Sequence, residues 1–111
     1  MHKDYKEFLR HIQDECLYIT QVSQGLTFDA FLENETLKRA VVRSLEVMGE
    51  ASKKVPADVK IMWSDIPWKN MAGMRDRLIH DYMGVNYRIV WDVMLNKVPE
   101  MLIEIHKVLE S

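Results

Sequence analysis

Apolar residues recur along this chain at steps of three and four, and almost nowhere alternate. Tyr5, Phe8, Leu9, Ile12, Cys16 and Ile19 trace one face of a first helix. Asp4, with Glu7 three residues on, has the form of a capping box at its start, and Gly25 suits its end. Thr27 is placed to cap a short turn carrying Phe28, Phe31 and Leu32. Asn34 is the expected cap of a second long helix, whose apolar face is Leu37, Ala40, Val41, Leu45 and Met48. That helix should fade at Lys53-Lys54, which suit the negative end of its dipole, before Pro56. Residues 56–63 allow a further short turn. Pro67 opens a third helix expected to run to about Tyr82–Met83, with Gly84 as its stop. Asn86 caps a fourth, flanked by Val85 and Val90 as a hydrophobic staple. Pro99 should restart or kink the chain before a last stripe of Met101, Leu102, Ile105, Val108 and Leu109. The pattern predicts an all-α fold: an antiparallel up-and-down bundle of four to five helices joined by short connections.

Length and composition fit that picture. The 111 residues are 48% hydrophobic and 29% charged, which suits one domain spanning 1–111. No apolar run approaches the roughly 20 residues of a membrane span, and the first residues lack an apolar signal core. A single cysteine, Cys16, can make no internal disulfide. These features together predict a cytoplasmic protein. The net charge of −2 is not that of a general nucleic-acid binder, and DNA is not an expected partner. Residues 67–90 are the local exception, with Lys69, Arg75, Arg77 and Arg88 against Asp76 and Asp81.

The segment Met71-Ala72-Gly73-Met74-Arg75-Asp76-Arg77-Leu78-Ile79-His80-Asp81-Tyr82 stands apart. On a helical wheel Met71, Met74 and Leu78 fall on one side of Arg75, and Ala72, Ile79 and Met83 on the other. A guanidinium in the middle of an apolar arc is costly without a partner or a task. Asp76 and His80 are four residues apart at the edge of that arc, and Tyr82 returns almost to the direction of Arg75. Arg77 and Asp81 fall on the polar side as an ordinary solvated pair. From spacing alone two readings stand. Arg75 either pairs with a carboxylate of a neighbouring helix, with His80 and Tyr82 as boundary residues, or the group forms a site. His2, His11 and His106 have no metal-ligand spacing, and neither a metal nor a cofactor is expected.

Arg75-x4-His80-x-Tyr82 resembles the R-x4-H-x-Y signature of the HepT-like toxins of the HEPN superfamily. Asp65-Ile66-Pro67-Trp68 with the block from Met71 to Tyr82, the helix Leu45-Glu46-Val47-Met48-Gly49-Glu50-Ala51, and Val90-Trp91 resemble the family's other blocks. The resemblance implies a small all-α, metal-independent endoribonuclease toxin acting on RNA as a homodimer. It further implies neutralisation by an MntA-like nucleotidyltransferase antitoxin that transfers AMP to the motif tyrosine, here Tyr82. Metal-free RNA cleavage needs positive charge for the phosphorane-like transition state, and Arg75 is the expected donor. It also needs proton transfer, the expected role of His80, since an unperturbed imidazole titrates near neutrality. One such histidine per chain gives a two-fold dimer both a base and an acid. Asp76 is expected to orient the imidazole or favour its protonated form. Lys69 and Arg88 are candidates to extend the basic cleft. The competing functions are a non-catalytic helical module that docks a nucleotidyltransferase or presents its substrate, and a plain structural dimer.

Overall fold

The computed structural model describes residues 4–80 and 84–111. Its elements are α1 (Tyr5–Ser23), α2 (Phe28–Glu33), α3 (Glu35–Lys54), α4 (Ala57–Met62), α5 (Trp68–His80), α6 (Tyr87–Asp92), a π-helical turn (Val93–Lys97) and α7 (Val98–Glu110). No strand occurs among the described residues. The four long rods of the up-and-down bundle are α1, α3, α5 and the continuous run from α6 through α7, with α2 and α4 as short connecting helices. The expected end of α5 near Tyr82–Met83 lies outside the described residues.

The caps act as the sequence predicts, with one exception. Thr27 accepts the Ala30 N–H at 3.1 Å and Asn34 accepts that of Leu37 at 3.0 Å. Asn86 takes the N–H groups of Arg88 and Ile89 at 3.1 and 3.3 Å. Asp4 accepts from Lys6 at 2.9 Å and lies 3.8 Å from Arg10. No bond from the Glu7 carboxylate closes a capping box among the described residues. Gly25, at φ +70°, takes the left-handed turn that a side chain would resist. The π turn has a physical cause in Pro99. Proline removes one backbone donor and its ring crowds the carbonyl four residues back, that of Leu95. Widening the helix over Val93–Lys97 relieves both and lets the rod continue into α7.

The core is one cluster in which α1 supplies Leu9, Ile12, Cys16 and Ile19, all fully buried. α1 packs on α3 and α7, and α3 packs in turn on α5. Burial pushes the Cys16 thiol up to about 12, so it stays protonated and acts as a small hydrophobe. Ser44, buried in the α1–α3 seam, donates to Glu15 Oε1 at 2.7 Å. Beneath α2, Phe31 stacks on Trp91 with ring centroids 5.6 Å apart and meets Tyr87 edge-on at 6.1 Å. The start of α5 is pinned by the Trp68 indole, which donates to the Trp63 carbonyl at 3.2 Å.

Phe31→Ala should cost about 3–5 kcal/mol, as expected for truncating a fully buried aromatic ring. Urea denaturation should show the midpoint falling steeply with an unchanged slope.

Candidate functional site

The α3–α5 seam is closer than ordinary side chains allow. α3 carries Gly49 where α5 carries Arg75. A methyl group placed on Gly49 would collide with the Arg75 Cβ and lie 2.7 Å from the Met71 carbonyl oxygen. The absent side chain therefore admits the stem of Arg75 into the seam. On either side of Arg75 along α5, Met71 and Leu78 are buried, as the wheel predicts. On the α3 side, Ser52 is fully buried and donates to the Gly49 carbonyl at 2.7 Å, a bond that spares its hydroxyl the cost of dry burial.

Beyond its stem, the guanidinium of Arg75 reaches the edge of the seam, the side chain as a whole being 29% exposed. Its Nη2 lies 3.1 Å from Glu50 Oε2 of α3, and its Nη1 3.2 Å from Asp76 Oδ1. The same Asp76 oxygen takes Lys53 Nζ of α3 at 2.5 Å. The four groups form a chain across the two helices in the order Glu50, Arg75, Asp76, Lys53. Formally it is neutral, with the cations and anions alternating. The hydrogen bond from Lys53, aided by Arg75 and opposed by slight desolvation, holds the Asp76 carboxyl below its ordinary value of 3.8.

On its Met71–Leu78 flank Arg75 has buried apolar neighbours, whereas Ile79 on the other flank is exposed, and Arg75 has a carboxylate partner on α3. His80 stands on α5 with Arg75, five residues along. The His80 side chain and the whole of Tyr82, both expected beside Arg75, lie outside the described residues. Asp76, expected to support the imidazole, has Lys53 and Arg75 on its Oδ1. Arg88, a candidate for the basic cleft, lies 4.4 Å over the ring of Phe28.

Sequence reading assigned no role to Gly49 or Glu50 and treated Lys53 as a dipole partner only. The signal was present in Gly49-Glu50-x-x-Lys53. An isolated glycine inside a helical pattern can mark a close packing point, as Gly49 does and Gly73 does not, and a carboxylate and an amine three residues apart share one edge of that helix.

A groove lies elsewhere. It has a volume of about 560 Å³, with Leu45, Met48, Met71 and Met74 among its apolar lining. Asp65, Glu100 and Glu104 at its margin outnumber Lys97. Arg75 does not line it, and its acidic rim is unsuited to a phosphate backbone. Among the described residues no group of three His, Cys, Asp or Glu side chains could hold a metal ion. No helix among them is long and apolar enough to cross a membrane.

Gly49→Ala should lower stability by about 1–2 kcal/mol. The steric penalty of roughly 1–3 kcal/mol exceeds the helix-propensity gain of about 1 kcal/mol, because a backbone carbonyl is among the atoms displaced. Thermal melting should fall by about 4–8 °C per kcal/mol. The Asp76 pairing has a definite sign with pH. Its stabilisation is fully present above the unfolded carboxyl value and is lost as pH falls through the lower folded value, so the window opens below 3.8. Comparing acid denaturation of wild type and Asp76→Asn should show the two curves converging there.

Comparison with known proteins places this arrangement in context. The model of the family described as "Ribonuclease HepT-like" matches residues 12–108. A candidate RNase of Caldanaerobacter subterraneus subsp. tengcongensis is 43% identical over 109 residues, covering 98% of this chain and 97% of the relative. A candidate RNase of Methanocaldococcus jannaschii is 44% identical over 109 residues, covering 98% and 90%. A protein named "Probable ribonuclease HepT" from Thermococcus cleftensis is 38% identical over 101 residues, covering 91% and 92%. No solved structure matches the chain. With a family model matching nearly its full length and relatives this similar end to end, the chain belongs to the HepT-like ribonuclease family.

Proposed function

We propose that this protein is a metal-independent endoribonuclease, the toxin of a toxin–antitoxin pair, and that it acts on RNA as a homodimer. Family membership supports the ribonuclease reading. The observation that carries it to particular residues is the placement of Arg75. Its stem is clamped in the α3–α5 seam while its charged end is partly exposed, on the same helix as His80.

In this reading the 2′-hydroxyl of the RNA attacks the adjacent phosphorus. His80 of one protomer takes the hydroxyl proton, and His80 of the other protonates the departing 5′-oxygen. The products are a 2′,3′-cyclic phosphate and a free 5′-hydroxyl. Arg75 supplies positive charge to the equatorial oxygens as the phosphorane forms. The composite site follows from two-fold symmetry, since each chain contributes one motif. AMP on Tyr82, transferred by a nucleotidyltransferase antitoxin, would add a phosphate charge and bulk close to Arg75 and shut RNA out by repulsion and occlusion.

Expression in bacteria without a partner should arrest growth, and His80→Ala or Arg75→Ala should abolish the arrest. The purified wild type should cut RNA in the presence of a chelator, with each variant slower by about a hundredfold or more. Equal growth for all three chains and no cut RNA would leave a helical module that docks the nucleotidyltransferase. After co-expression with a nucleotidyltransferase encoded beside it, intact mass should show added AMP on the wild type and none on Tyr82→Phe. An unmodified wild type would refute that mode of control.

A further inference from the structure

We infer that Glu50, on α3, is a positioning residue for Arg75: its carboxylate aims the guanidinium at the phosphate while lowering the affinity of the resting site for RNA. The inference rests on the ribonuclease reading above and assigns a part in it to a residue that makes no contact with the reacting atoms.

An arginine side chain has four rotatable bonds, and a catalytic guanidinium that wanders over them is poorly placed when the phosphorane forms. Arg75 is restrained at both ends. Its Cβ and Cγ lie against Gly49, where any side chain on α3 would push them out. At the far end Glu50 Oε2 holds Nη2 at 3.1 Å and Asp76 Oδ1 holds Nη1 at 3.2 Å. The two anchors differ in what they can enforce. Asp76 is the next residue on the same helix, and its oxygen is shared with Lys53 at 2.5 Å. Glu50 comes from the opposing helix, so it alone relates the fork to α3. A guanidinium carries five N–H donors, and only the contact with Asp76 is a hydrogen bond, so the others remain to meet an incoming phosphate. Because the fork is planar, fixing two of its edges sets the direction of the third.

The same carboxylate has a second effect. It places a negative charge beside Arg75 at a partly exposed edge, where a phosphodiester must approach, while Lys53 balances Asp76. In the resting site the Glu50 charge opposes RNA binding. Removing Glu50 should therefore help the substrate bind while harming the chemical step. A residue that only stabilises the fold has no reason to move the two quantities in opposite directions.

The test uses the full chain and a short single-stranded RNA with a fluorophore and quencher at its ends, read as separate kcat and KM. Melting curves confirm that each variant is folded. Glu50→Ala should lower kcat by about tenfold to a hundredfold, the scale of a misplaced catalytic group. Its KM should stay level or fall. Glu50→Gln keeps the shape beside Nη2 but removes the charge of the ion pair, so it should recover only part of kcat, while KM remains low. Wild-type kcat in Glu50→Ala would overturn the inference alone. So would a KM that rises in both variants, which would leave Glu50 a fold-stabilising residue. A wild-type chain that cuts no RNA would overturn the inference together with the ribonuclease reading.

Discussion

A helix can approach its neighbour only as closely as the side chains between them permit, and at Gly49 α3 carries none. That absence lets the backbone of α3 meet the Arg75 stem directly. The remaining features of the seam depend on it. With α3 drawn close, Glu50 and Lys53 come within reach of α5, and the alternating charge chain can form. A larger residue at position 49 would move the two helices apart and lengthen each of these contacts together.

Placing a cation within an apolar arc trades stability for position. The hydrophobic neighbours of Arg75 gain from burial, and the guanidinium loses hydration. Two carboxylates compensate part of that loss, although partial exposure keeps their individual contributions modest. The arrangement is sensible for a group that must be rigid and still reachable from solvent. A fully buried pair would be sealed from any substrate, and a fully solvated arginine would have no preferred direction.

The large groove makes the complementary point. It is apolar, its margin is acidic, and it lies on the Met71–Met74 side of α5. Size and apolarity commonly mark small-molecule sites, but a phosphate chain is recognised by positive charge at a surface. The cationic end of Arg75 and this groove are thus different places on the same pair of helices.

Local chemistry explains how much of this was legible from the residues alone. Thr27, Asn34 and Asn86 cap their helices because a side-chain oxygen two or three residues before a free N–H needs no tertiary help. The 3.6-residue periodicity identified the buried face of α1 residue by residue, because burial repeats with helix geometry. The same wheel isolated Arg75 as a cation out of place. Its partner was another matter. Glu50 is 25 positions away in the chain, and its role follows from the closeness of two helices at a glycine, which no local pattern encodes. Asp76 illustrates the same limit. The i,i+4 rule relates it only to neighbours along α5, and that Lys53 reaches its oxygen from across the seam is outside that rule. Sequence thus determined the helices, their caps and the residue that needed an explanation, since those rest on short-range geometry. Only the tertiary structure decided which carboxylates answer that residue, because long-range packing sets the separation of charges.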